Sequence, residues 1–176
     1  VSFAATVLAL EGFGAAPTVT GTATAKAWAT TDEWTRSPAV QWALAATTAN
    51  TSAGGRSGVE MFNYSTTAGR GGFLLFGSFK IISAIATQRI FVGVKDATTV
   101  IVATTDPNVV LSSAYFGANS ADTNLKFCTN DATTTATCTD LGANFPSDTA
   151  NARYNFWIWS PPGGGSIGYA IERRDA

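Results

Sequence analysis

Short apolar–polar alternations, punctuated by Gly, Asn, Asp and Pro, run along most of the chain, and stripes of helical period are nearly missing. A strand turns successive side chains to opposite faces, so a period of two predicts β-structure. The pattern predicts strands over 18–29, 34–46, 59–64, 72–82, 89–94, 109–116, 124–128, 135–141, 153–159 and 166–173. Between them lie turn-forming runs: SAGGRSG (52–58), TTAGRGG (66–72), KDATT (95–99), TDPN (105–108), ANSADTN (118–124) and FPSDTAN (145–151). Gly supplies the left-handed backbone such turns need, and Asn, Asp and Ser bond their own main chain. So many short strands predict an all-β fold, an antiparallel β-sandwich or jelly roll. The domain is expected to span 18–176, after a segment, 1–17, that leads into it.

The alternation also assigns faces. In 72–82, Phe73, Leu75, Gly77 and Phe79 fall on one side and Leu74 and Phe76 on the other. Both sides are apolar, which predicts a central strand or one at an interface. In 153–159, Phe156 and Ile158 point one way and Trp157 and Trp159 the other. Two indoles on the second side exceed what a free surface usually carries, so they are expected to cover the other sheet or a neighbouring subunit. Phe73, Leu75, Phe79, Trp157 and Trp159 are therefore the candidate subunit-interface residues. The stretch Ser160-Pro161-Pro162-Gly163-Gly164-Gly165 lies between this strand and one with Ile167, Tyr169 and Ile171 on a single face. A phosphate-cradling loop needs a helix after its glycines and usually a Lys. A strand follows here, so the run is read as a turn.

Composition sharpens the picture. The chain has 176 residues, enough for one domain with a real core. Charged residues are only 13%, about half the usual share, and the formal net charge is -1. That balance gives no polyelectrolyte attraction to nucleic acid or to anionic lipid. A surface of hydroxyls, amides and small groups suits a β-protein on a particle or outside a cell. There is no His, the commonest general base and metal ligand. No apolar run is long enough for a membrane helix, so membrane insertion is not expected. Residues 1–16 faintly resemble a signal core, but Glu11 interrupts them and no basic start precedes them, so an early strand is the better reading. A start at Val1 suggests a piece of something longer.

Candidate chemistry is sparse. Cys128 and Cys138 flank a hairpin centred near Thr133 and are a disulfide candidate. Neither has a His or basic neighbour that would make it a reactive thiolate. Asp122, Asp131, Asp140 and Asp148 fall in loops or at strand ends beside Asn119, Asn124, Asn130 and Asn144, which reads as turn chemistry before it reads as a calcium site or a glycosidase pair. Trp28, Trp34 and Trp42 fit core or interface better than a sugar platform. Arg56, Tyr64, Arg70, Asn119, Asp122, Asn130 and Asp131 lie at or near loop tips and are the candidate partner-facing residues. No catalytic residue, metal ligand or cofactor is expected.

Several segments together resemble a family of bacteriophage virion structural proteins, often labelled tail fibre proteins. They are GTATAKAWATTDEWTR (21–36), AGGRSG (53–58), AGRGGFLLFGSFKI (68–81), QRIFVGV (88–94), FGANSADTNLKFCTNDATTTATCTDLGANFPSDT (116–149) and NFWIWSPPGGGSIGYAIERRD (155–175). The resemblance covers most of 20–175. It implies a β-sandwich at the distal part of a virion fibre, usually trimeric, acting by adhesion or decoration without catalysis. Cys128 and Cys138 depart from the family pattern. Family members also continue past the last strand, so this sheet is expected to be completed by further residues, a neighbouring subunit or another virion protein.

The leading expectation is thus a non-enzymatic virion protein, a homotrimeric fibre domain that serves host attachment. Its partners would be copies of itself, other virion proteins and, where it meets the host, a surface glycan. A capsid decoration, head-fibre or cement protein is one alternative. A carbohydrate-binding module of a secreted bacterial protein is another, and a glycan depolymerase a third.

Overall fold

The computed structural model describes the backbone of four short strands before residue 60, and residues 67–81, 87–96, 101, 104–132 and 135–175 with their side chains. The chain divides into two compact units, Val1–Met61 with Val102–Thr104, and Phe62–Ile101 with Thr105–Ala176. Its described elements are strands apart from one 3-10 turn, and both sheets of the second unit are antiparallel.

In the first unit, β1 (Thr18–Thr20) pairs with β4 (Gly54–Arg56), and β2 (Thr22–Ala25) pairs with β3 (Val40–Ala43). The run 52–58 was expected to be a turn, yet its centre is a strand. A ladder is made of backbone groups, so glycines enter it when a partner such as Thr18–Thr20 holds them. The strand expected over 59–64 lies outside the described residues.

The second unit is a β-sandwich. One sheet has the order β11 (Gly168–Arg173), β10 (Arg153–Ser160), β5 (Phe73–Lys80). The other is a meander of β6 (Ile90–Lys95), β7 (Ser113–Ala118), β8 (Lys126–Asn130) and β9 (Thr137–Asp140). Phe156 and Ile158 from the first sheet meet Ala114, Phe116 and Phe127 from the second, with Phe73, Leu75, Phe79, Val92, Val94, Tyr169 and Ile171 packed around them. Aromatic rings cross the layer: Phe127 stacks on Tyr169 at 4.0 Å, and Phe116 meets both Tyr169 and Phe156 edge-on at 5.8 Å. Such pairs add to the burial term that drives the sheets together. A second cluster of Ile81, Leu125, Ala152 and Tyr154 closes one end.

The β7 strand begins later than its alternation predicts. Pro107 opens a 3-10 turn, Pro107–Val109, and the ladder starts only at Ser113. Residues 105–112 form a strap that runs from one end of the four-stranded sheet to the other. Asp106 is tied to Arg89 and Ser120 at one end of the sheet, the Asn108 carbonyl accepts Ala136 N–H, and Ser113 Oγ donates to Val110 O near the other end. Beside this strap every residue of β7 is buried although its side chains alternate between two faces, and Phe91 stacks on the outward Tyr115.

The Pro-Gly run is a turn that docks on a second turn. Gly163 N–H donates to Arg70 O at 2.8 Å, joining 161–164 to 67–72, and the chain then enters β11.

Candidate functional site

The outer face of the β11–β10–β5 sheet follows from the period-two pattern of two strands. Phe156 and Ile158 are drawn into the core, which turns Trp157 and Trp159 outward. Phe73, Leu75 and Phe79 pack against the same core, which turns Leu74 and Phe76 outward. The register then sets these side chains next to each other. Trp157 stands opposite Phe76 on one side and Ala170 on the other, and Trp159 stands between Leu74 and Gly168. Phe76 is 66% exposed, Leu74 64% and Trp159 39%, and Trp157 is half-buried. The next pairs along the sheet are polar. Ser78 Oγ donates to Asn155 Oδ1 at 2.6 Å, Glu172 faces Asn155 from β11, and Arg153 stands opposite Lys80.

The indole of Trp159 lies across the neighbouring strand. A Cβ at Gly168 would sit 2.4 Å from its Cε2, 2.6 Å from Cζ2 and 2.7 Å from Nε1. Cε2 being nearest, with its two bonded neighbours slightly farther, means that the ring meets the strand with its face. Only glycine permits this approach. One face of the indole covers the Gly168 backbone, and the residue as a whole stays 39% exposed. The result is a shallow aromatic surface of Phe76, Trp157 and Trp159, with no formal charge within it.

The residues singled out from sequence are placed as follows. Of the five subunit-interface candidates, Phe73, Leu75 and Phe79 face the core, and Trp157 and Trp159 face outward. Cys128 and Cys138 stand directly opposite each other on β8 and β9, Cα atoms 4.1 Å apart, and are joined as a disulfide. Asn119 and Asp122 are engaged locally. Asp122 accepts from the Asn119 backbone N–H at 2.9 Å and from Lys126 Nζ at 2.6 Å. Asn130 is buried, and its Oδ1 accepts Ala132 N–H at 3.1 Å, so it shapes the hairpin. Asp131 and Arg70 are exposed. The side chains of Arg56 and Tyr64 lie outside the described residues.

Other carboxylates are held in structural links. Burial pushes the Asp106 carboxyl up, but hydrogen bonds from Ser120 N–H, Arg89 and the Ser120 hydroxyl outweigh it and hold the group below the usual carboxylate value. Arg173 holds Asp175 below its usual value in the same way, helped by Arg153 N–H. Among the described residues no three His, Cys, Asp or Glu side chains come together as a metal-binding group.

Sequence reasoning placed Leu74 and Phe76 on the face opposite Phe73 but not among the interface candidates. The signal was there: their partner strand carries Trp at the matching alternate positions. Comparison with protein-family models, with curated proteins and with solved structures finds no match to this chain.

Proposed function

We propose that this chain is a non-enzymatic structural protein of a bacteriophage virion, a trimeric fibre domain that serves host attachment. The observation that carries the reading is the exposed aromatic face of the β11–β10–β5 sheet. It offers a surface for contact. Large apolar side chains gathered on one exposed sheet face, with polar pairs beside them, are open to a partner. The charge-poor composition, the disulfide across β8 and β9 and the resemblance to virion fibre proteins support the same reading. A disulfide suits an oxidising, extracellular setting.

Antibody raised against the purified chain, coupled to gold, tests this on particles of the phage that encodes it. Gold at fibres is the expected result. Gold spread over the capsid shell would favour the decoration reading, and particles without gold would contradict a virion role.

A further inference from the structure

We infer that the outer face of the β11–β10–β5 sheet is a saccharide-stacking surface, with Trp159, Trp157 and Phe76 as the groups that hold the sugar. This names the receptor class for the attachment reading and rests on it. The face of an aromatic ring carries negative charge density, and the axial C–H groups of a sugar ring are weakly positive. A ring must present its face to gain that contact. Trp159 does so because Gly168 lets the indole lie against the sheet instead of standing on edge. Phe76 and Trp157 are cross-strand partners on the same side, so the surface continues from β10 onto β5.

Size and polarity favour a sugar over a second copy of the chain. Strands lie about 4.8 Å apart and alternate residues about 6.8 Å apart, so the apolar patch covers on the order of 200 Å². A stable protein interface buries about 800 Å² on each partner. By itself the aromatic patch is about a quarter of that, an area that one or two stacked sugar rings cover. It also ends at the Ser78–Asn155 pair, a hydroxyl and an amide positioned one pair along the sheet. Sugar hydroxyls at the edge of a stacked ring would meet hydrogen-bonding groups there. The aromatic part holds no ionic group, so the stacked portion of the ligand is a neutral sugar ring.

The test is binding of the full 176-residue chain to an array of bacterial lipopolysaccharides, capsular polysaccharides and neutral oligosaccharides. The native chain is expected to retain at least one glycan. Trp159→Ala and Phe76→Ala should each weaken that binding by about tenfold, the worth of one aromatic contact. Gly168→Ala keeps every aromatic residue but displaces the indole, so it should weaken binding too. Thermal melts monitored by circular dichroism show that each variant is folded, which is expected because Trp159 and Phe76 are exposed. Absence of any retained glycan would overturn the inference. So would retained binding by folded Trp159→Ala and Phe76→Ala. A change of molecular mass in those variants would show that the face joins copies of the chain, which overturns the sugar assignment and leaves the virion reading standing. Loss of gold from the particles would sink the virion reading independently.

Discussion

Tyr115 shows how much one residue can disclose about its surroundings. It lies on the outer side of the four-stranded sheet, where a tyrosine is normally wet, yet it is 1% exposed. Its ring stacks on Phe91 at 4.4 Å and folds back over Gly117, where a Cβ would be 2.8 Å from its Cε2. Its hydroxyl is buried with no hydrogen-bond partner among the described residues. Burial, with the nearby charges of Asp122 and Asp106, pushes its ionisation well above the usual value. An unpaired buried hydroxyl is costly, so Tyr115→Phe is expected to leave stability unchanged or raise it by about 1 kcal/mol. Urea unfolding would read the change. A loss of stability would mean that the hydroxyl is satisfied after all. The titrating groups also give the pH limits of the fold. Asp106 and Asp175 have carboxyls held below the ordinary 3.8, so their contribution is present above that pH and is lost as pH falls through the lowered folded values. Burial pushes Tyr154 from 10.0 to about 12, so its contribution is present below pH 10 and is lost as pH rises from 10 towards about 12. Melting temperature against pH should therefore fall at both extremes and stay level between.

Strands were legible in the sequence because alternation is local. The faces of β10 and the shared side of Ile167, Tyr169 and Ile171 followed from period two alone. The inner side of β5 did not, because both of its faces are apolar and only the partner sheet decides which is covered. The strap over β7 was also hidden. It depends on Asp106 meeting Arg89 and Ser120, residues 17 and 14 positions away, and no local pattern encodes that. Position 54–56 was misread for a related reason: glycine marks turns on average, but strand pairing is a property of two segments. The hairpin was easier, since equal distances from Thr133 put Cys128 opposite Cys138. That link holds β9, a largely exposed edge strand, to the rest of its sheet. Closing so short a loop removes unfolded-state entropy worth about 2–3 kcal/mol. Replacing both cysteines by Ala should lower unfolding stability by about that amount. Hydrogen exchange should speed first in β9 and at Ala136, whose N–H bonds Asn108 O across to the strap. Uniform faster exchange across the sheet would argue against a local clasp.

Both sheets of the sandwich have open edges among the described residues, β11 and β5 in one and β6 and β9 in the other. Open edges invite pairing with another chain unless something covers them. A charge-poor composition and a small aromatic face fit the proposed fibre, in which a domain is held by its neighbours and holds a target. The candidate site was only partly visible in the sequence for the same reason: Trp157 and Trp159 stood out, but their neighbours Phe76 and Gly168 join them only through the register of three strands. The most direct test of the fibre reading is the mass of the purified chain by light scattering, measured with and without reductant. The account predicts three times the 18.2 kDa chain mass in both conditions, resistant to heating. A monomer at 18.2 kDa would contradict the trimeric fibre and leave a single-chain binding module as the better description.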